Sequence, residues 1–112
     1  MRGKSKKRKS RNAAQDRLLK AVRALPCAVC QGSSEAHHCV GETARHNKIP
    51  IGHEFLNALC KEDHTALHNG ETFGFGSRKE FEKHAFMLAM GQIPPELRPQ
   101  DYIIDTILDY HL

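Results

Sequence analysis

The sequence contains no tryptophan, and its two tyrosines and five phenylalanines make up only 6% of the 112 residues. A chain of this length folds as one small domain, and so few large side chains leave it a modest core. No apolar run is long enough to span a bilayer, and the basic N-terminal segment lacks the apolar stretch of a signal peptide. We therefore expect a cytoplasmic protein without membrane contact, whose fold is supplemented by a metal or a partner.

Charge is distributed unevenly along the chain. Residues 1–23 carry ten basic residues and one acidic residue, a net charge of +9, whereas the remainder carries seven basic and twelve acidic residues, a net charge of −5. Residues 1–12 contain no apolar residue beyond Met1, so we expect a disordered basic arm. Such an arm favours sequence-independent binding to nucleic acid phosphates, although a solubilising tail has the same composition. Its basic residues are Arg2, Lys4, Lys6, Lys7, Arg8, Lys9 and Arg11.

Residues 13–112 are predicted to form one α+β domain. Apolar periodicity and turn residues predict helices at 13–25, 60–69, 77–90 and 100–110, strands at 35–40 and 55–59, a polar loop at 41–53 and a linker at 71–76. Asn12 is the expected N-cap of the first helix, and Gly70 and Gly91 are expected just past the ends of the second and third. The expected core residues are Leu18, Val22, Phe81, Phe86, Leu88, Ile103 and Ile107, and Tyr102 and Leu108 are assigned to the apolar side of the last helix.

The cysteines have the spacing of metal ligands. Cys27 and Cys30 form a CxxC turn of the kind that presents two thiolates to one tetrahedral Zn²⁺. Cys60 is followed three residues later by Asp63, which repeats the spacing with a carboxylate in second place. We predict a structural zinc site of three cysteines completed by Asp63, with His53 or solvent as the alternative fourth ligand. A redox CxxC motif is the competing interpretation, but the βαβ context that it requires is missing.

Four histidines form a second constellation. His64 and His68 are one helical turn apart on the same face, so they can hold one cation together. His37 and His38 are adjacent in a predicted strand and therefore point to opposite faces. If one of them joins His64 and His68 as a ligand, the other is left for a different task, such as accepting a proton.

These motifs together resemble a known family. Cys27-x-x-Cys30, Glu35-Ala-His-His38, Asn57-Ala-Leu-Cys60, Asp63-His64 and His68 are similar to the HNH endonucleases of the ββα-metal class that carry a structural zinc. The resemblance covers about residues 26–70. It implies a ββα-metal core with a zinc knuckle, flanked by an N-terminal helix and a helical C-terminal extension at 77–111. The basic arm and Phe81-Glu-Lys-His84 are further similar to small phage recombination-enhancement HNH proteins, which implies the cytoplasm of a bacterial host.

The resemblance also implies roles for individual residues. His37, His64 and His68 would hold the catalytic divalent cation, Mg²⁺ or Mn²⁺ with Zn²⁺ or Ni²⁺ as alternatives. His38 would be the general base. Asn57 is the counterpart of the family's central asparagine.

Three features depart from the family pattern or leave alternatives open. Asn57 lies closer to the cysteine than the family's asparagine does, so Asn47 is a second candidate. Asp63 replaces the usual cysteine or histidine ligand. Arg45 and Lys48, in the loop between the strands, either contact phosphates beside the cleavage site or are merely solvated.

The expected function is a metal-dependent DNA endonuclease with little sequence specificity, acting on double- or single-stranded DNA. One alternative is a zinc-finger module that binds nucleic acid without catalysis, which gives the four histidines no role. Another is an accessory nuclease that cuts only DNA presented by a recombinase filament, with the acidic last helix as a docking surface.

Overall fold

The computed structural model describes residues 11–39 and 44–110. Within these ranges the chain is a small α+β arrangement of four α-helices and two antiparallel two-stranded sheets. The elements are α1 (Ala13–Arg23), β1 (Glu35–His38), β2 (Arg45–His46), β3 (Ile49–Pro50), β4 (Leu56–Leu59), α2 (Lys61–His68), α3 (Arg78–Gln92), a 3₁₀ turn (Pro95–Leu97) and α4 (Asp101–Asp109). The predicted arm residues 1–10 lie outside the described residues.

Strands β1 and β4 pair antiparallel, with Glu35 opposite Leu59 and His37 opposite Asn57. Every residue of β4 is buried, because α1, α2 and α3 all contact this strand. Helix α2 follows β4 after a single residue, Cys60. The strand ends that carry the predicted ligands are thereby brought next to the start of this helix.

The segment predicted as a polar loop contains a second small sheet, so that prediction is wrong for residues 45–50. Strands β2 and β3 form a hairpin whose two turn residues, Asn47 and Lys48, have φ of 52° and 65°. Two consecutive positive φ values define a type I′ turn, which matches the twist of a two-residue hairpin. Asparagine adopts this conformation readily, whereas lysine at the second position gave no turn signal in the sequence. The ring of His46 packs edge-on against Tyr110, which attaches the hairpin near the end of α4.

Helix α1 begins where the sequence predicts. The side chain of Asn12 accepts a hydrogen bond from the Gln15 amide at 2.8 Å, and the Gln15 side chain accepts one from the Asn12 amide at 3.0 Å. This reciprocal capping satisfies two amides that the helix itself leaves unpaired. The helix ends at Arg23, two residues before the predicted end, and buries Leu18, Leu19 and Val22 against the sheet.

Helix α2 is closed by Gly70, as predicted. The Gly70 amide bonds to the Leu67 carbonyl and the Glu71 amide to the Ala66 carbonyl. This is the Schellman pattern, which needs a residue at positive φ, and Gly70 has φ of 103°. The end of the helix, and with it the position of His68, is therefore set by local chemistry.

Helix α3 starts at the predicted cap, where the Ser77 hydroxyl accepts from the Glu80 amide at 3.2 Å. It continues through Gly91 to Gln92, so the expectation that Gly91 lies past its end is wrong. Leu88 is 38% exposed and does not belong to the core, since the buried face of α3 carries Phe86 and Met90 instead.

Helix α4 likewise buries less than the sequence predicts. Ile103 and Ile107 are buried, whereas Tyr102 is 55% and Leu108 39% exposed. A two-residue-wide stripe is enough for a helix that contacts the rest of the fold along one edge. No helix among the described residues has the length and apolarity needed to cross a membrane.

The buried side chains form two clusters. The larger lies between α1, the β1–β4 sheet, α3 and α4. The smaller, which we call the minor core, joins the CxxC turn, β4, α2 and α3. Its buried members are Cys27, Leu59, Leu67, Phe81 and Ala85. The minor core packs the last turn of α2 against the first two turns of α3.

The two faces of α3 give a direct test of this packing. Phe86 is fully buried, so Phe86→Ala is expected to lower the free energy of unfolding by about 3–5 kcal/mol. Leu88→Gln, on the exposed face, is expected to change it by less than about 0.5 kcal/mol. Urea denaturation of both variants at fixed zinc concentration measures the difference. Equal losses would contradict the assignment of faces.

Candidate functional site

The CxxC turn is held by backbone hydrogen bonds. The Cys27 amide donates to the Gly32 carbonyl at 2.8 Å, and the Gln31 amide donates to the Cys27 carbonyl at 2.9 Å. Gln31 adopts a φ of 66°, which turns the chain back on itself. The Ala28 amide bonds to the Ala58 carbonyl at 2.8 Å, which fixes the turn to β4.

Cys60 is the N-cap of α2, an unusual choice because the capping atom is a sulfur. Its Sγ accepts from the Asp63 amide at 3.4 Å. The same helical turn therefore points both the Cys60 thiol and the Asp63 carboxylate toward the CxxC turn. Local helix geometry thus produces the second half of the cluster.

The ligand atoms of Cys27, Cys30, Cys60 and Asp63 all lie within 4.8 Å of one another. Asp63 Oδ2 is 3.2 Å from the Sγ atoms of both Cys27 and Cys60, and the Sγ atoms of Cys30 and Cys60 are 3.8 Å apart. Zn–S bonds of about 2.3 Å and Zn–O bonds of about 2.0 Å in a tetrahedron imply S–S and S–O edges of about 3.8 and 3.5 Å. The cluster can hold a metal ion such as zinc.

The electrostatics of the cluster favour a cation. Burial raises the pKa of the Cys27 thiol, but backbone hydrogen bonds from Cys30, Cys60 and Val29 outweigh it, and the net pKa is lowered. Cys60 accepts a hydrogen bond from the Asp63 backbone, yet desolvation and the neighbouring acidic side chains raise its pKa to about 12. A second thiolate beside the first is therefore unfavourable without a cation, and a metal ion would displace that proton.

A second group, the histidine cluster, consists of His37, His64 and His68. The rings of His37 and His64 are stacked, with centroids 3.4 Å apart and planes inclined by 21°. The Nε2 atoms of His64 and His68 are 3.0 Å apart. Two nitrogens bound at about 2.1 Å to adjacent positions of an octahedral ion are separated by about 3.0 Å, so this spacing suits a shared cation.

The stacked ring of His37 does not converge with those of His64 and His68 on one binding point. Within residues 11–39 and 44–110, the cysteine–aspartate cluster is the one group of three or more ligand atoms that lie within 4.8 Å of one another. For His37 to share an ion with His64 and His68, its ring must turn out of the stack. Its Nε2 is buried, makes no hydrogen bond to any described residue, and lies 3.5 Å from Glu35 Oε1.

Two rings of the histidine cluster, those of His37 and His64, have a lowered pKa. Burial, with smaller effects from His37, His68 and Arg78, lowers the pKa of His64 to about 4. Burial also lowers the pKa of His37, against the opposing effects of Glu35 and a hydrogen bond with the Leu59 backbone. Neutral imidazoles keep a lone pair available, which is the state in which histidine binds a metal.

His38 lies apart from this cluster. It alternates with His37 along β1 and so projects from the opposite face of the strand. Its ring lies 6.0 Å from that of His53, in an edge-on arrangement. The two adjacent histidines therefore have separate surroundings, as the sequence predicts. Of the two residues considered as the fourth zinc ligand, Asp63 lies in the cysteine cluster and His53 lies beside His38.

The two candidate asparagines have different settings. Asn57 is 1% exposed, lies directly opposite His37 on β4, and its Oδ1 makes no hydrogen bond to a described residue. Asn47 is an exposed turn residue, and the positive φ at this position explains why an asparagine is found there. Asn57 is thus the one that lies beside the histidine cluster.

The predicted DNA contacts are spread over the surface. Arg45 and Lys48 are exposed on the β2–β3 hairpin. Arg11 is exposed and lies 3.5 Å from Asp16 in an ion pair. The remaining basic residues of the arm lie outside the described residues.

Sequence reasoning missed a buried ion pair on α3. Arg78 Nε donates to Glu82 Oε2 at 3.1 Å, and Glu82 is 1% exposed. The i,i+4 spacing of the two residues is visible in the sequence, but it is indistinguishable there from an ordinary surface pair. Only the packing of α3 on β4 places Glu82 in the interior.

Comparison of the chain with protein-family models, with curated proteins and with solved structures found no match.

The geometry predicts that Asp63 contributes to metal binding at the cysteine cluster. Asp63→Ala is expected to weaken binding about tenfold or more, because it removes one of four converging donors. Co²⁺ titration followed by thiolate-to-metal absorption measures the affinity. Glu62→Ala is the matched control, since Glu62 is its exposed neighbour in the same turn. Wild-type affinity in Asp63→Ala would show that the fourth position belongs to another donor.

Proposed function

We propose that this protein is a metal-dependent nuclease of the HNH, ββα-metal class, which hydrolyses DNA phosphodiester bonds with little sequence specificity. The observation that carries the proposal is that helix α2 contributes side chains to both clusters. The first turn of this helix supplies Cys60 and Asp63 to one cluster, and its next turn supplies His64 and His68 to another. The order β1, β4, α2 matches the strand, strand and helix that the resemblance implies.

The two clusters have different donor atoms, which suit different tasks. Three thiols and a carboxylate whose ligand atoms lie close together supply all four positions of a tetrahedral ion, which is typical of structural zinc. Imidazoles alone leave coordination positions for water and substrate. A divalent cation at the histidine cluster would stabilise the charge that develops on the scissile phosphate and on the leaving oxygen.

The residues of the chain account for the remaining steps. We assign His38 as the proton acceptor for the attacking water, because a neutral imidazole has a suitable pKa and because His38 is not one of the clustered rings. Asn57, buried opposite His37, is assigned to hold that strand pair and its histidine in position. Arg45 and Lys48, exposed on the hairpin, are assigned to phosphates that flank the cut.

A zinc module that only binds nucleic acid needs the cysteine cluster but not a second group of buried histidines. Burying the rings of His37 and His64 costs free energy of desolvation, and a module that only binds nucleic acid would gain nothing from it. The structure therefore gives more support to a catalyst than to a binding module.

Substitution of the histidines tests the catalytic assignment. His64→Ala and His38→Ala are each expected to slow the nicking of supercoiled plasmid about 10²–10⁴-fold in Mg²⁺ or Mn²⁺, since each removes a ligand or a base. Retained zinc content shows that the fold has survived. His84→Ala, on the exposed face of α3, is the control and is expected to cleave normally. Unchanged cleavage in both His64→Ala and His38→Ala would refute the proposal.

The basic arm is expected to supply most of the salt-dependent affinity for DNA. Replacing its seven basic residues with glutamine should lower the slope of log K against log salt concentration by up to about 6, since each phosphate contact contributes about 0.9. Fluorescence anisotropy with a duplex oligonucleotide measures the slope. Lys20→Gln and Arg23→Gln on α1 are the controls. An unchanged slope would reject the arm as a DNA contact.

A further inference from the structure

We propose that Arg78 binds a phosphate group of the substrate beside the histidine cluster, and that the buried Glu82 is the positioning residue that aims its guanidinium there. The proposal extends the proposed function, because it assigns a substrate-binding group outside the motif that the resemblance covers. It rests on the proposed function for the identity of the substrate, a phosphodiester.

The packing places the first turn of α3 next to the elements that carry the histidine cluster. Phe81, one turn from Arg78, lies in the minor core with Leu59 and Leu67. Leu67 lies on α2, in sequence between the two clustered histidines, and Leu59 lies on β4, which pairs with the strand of His37. The start of α3 thus packs against β4 and α2, the elements next to the cluster.

Arg78 brings a positive charge to the neighbourhood of the histidine cluster. The packing of Phe81 with Leu67 brings the first turn of α3 against α2. In agreement with this, burial lowers the pKa of His64 to about 4 and the positive charge of Arg78 is one of the smaller contributions. A guanidinium is always charged in proteins. Arg78 therefore offers a fixed positive charge to an anion that approaches the cluster.

The orientation of Arg78 is set by an ion pair with unequal burial. Its Nε donates to Glu82 Oε2 at 3.1 Å, with the arginine side chain 39% exposed and the glutamate side chain 1% exposed. The terminal nitrogens, Nη1 and Nη2, are not part of this pair. Glu82 thus holds the Nε edge of the guanidinium. The opposite edge carries Nη1 and Nη2, whose hydrogens can be donated to a ligand.

Stability alone is a poor explanation for Glu82. Its Oε1 is buried without a hydrogen bond to any described residue, and burial raises its pKa despite the opposing effect of Arg78. A buried ion pair is on balance a weak contributor to stability, and an unsatisfied carboxylate oxygen makes it weaker. The arrangement is explained if the carboxylate holds Arg78 in one orientation for an anionic ligand.

Guanidinium and phosphate are matched in shape as well as charge, because two parallel N–H donors meet two oxygens. Lysine has the charge but not the planar fork, so Arg78→Lys is not a conservative change at such a site. This distinction separates phosphate recognition from a general electrostatic effect.

Binding of dimethyl phosphate to the zinc-loaded full-length protein tests the proposal without any cleavage assay. In the wild type, we expect the Nε–H signal of Arg78 and the ring signals of His64 to shift with a common saturation curve. Arg78→Lys and Arg78→Gln should weaken this binding about tenfold, the value of one charge-assisted hydrogen bond. Lys79→Gln, the neighbouring cation, should keep wild-type affinity. Wild-type affinity in both Arg78 variants, or an equal loss in Lys79→Gln, would overturn the proposal.

Kinetics on DNA test the positioning role of Glu82. Glu82→Leu should lower kcat/KM about 10²-fold while zinc content stays at the wild-type level, because the phosphate ligand is no longer aimed. The double variant with Arg78→Gln should be no slower than Arg78→Gln alone, since both changes remove one function. Additive losses would instead indicate a structural role for Glu82. If the wild type cleaves no DNA, the proposed function fails, while the dimethyl phosphate titration still decides the role of Arg78.

Discussion

The anchoring of the first turn of α2 is the constraint on which the rest of the site depends. Cys60 caps this helix and Asp63 lies within its first turn, and both reach back to the CxxC turn that is hydrogen-bonded to β4. A structural zinc ion contributes about 10–16 kcal/mol of apparent binding free energy, against a total stability of about 5–15 kcal/mol for a typical domain. A metal in this cluster would therefore decide whether α2 is held in place. Since His64 and His68 lie on the same short helix, their position follows from that anchor.

Among the described residues, two polar side chains are almost completely buried and lack a full set of hydrogen bonds. Asn57 and Glu82 are each 1% exposed, and each has an oxygen without a hydrogen bond to a described residue. Such groups cost stability unless they are paired, so a fold selected for stability alone would replace them with apolar side chains. Under the proposed function, Asn57 would orient His37 and Glu82 would orient Arg78.

Local sequence patterns predicted much of the fold, because they depend on short-range geometry. The Asn12 cap, the Gly70 terminator and the start of α3 follow from capping rules. The cysteine–aspartate cluster was predictable for the same reason, since CxxC and Cys60-x-x-Asp63 each bring two donors together within one turn. What sequence could not decide was long-range packing. The β2–β3 hairpin, the exposure of Leu88 and the burial of Glu82 all depend on which elements meet in space.

Hydrogen exchange of the α2 amides, measured as zinc-free protein is titrated with Zn²⁺, tests the central claim most directly. If the cysteine cluster anchors the helix that carries His64 and His68, one equivalent of Zn²⁺ should convert the amides of α2 from weak to strong protection. The amides of α1, which is capped by Asn12 and packs on the opposite part of the core, should change much less. Equal protection of α2 with and without zinc would contradict the account, because the helix would then be held without the metal.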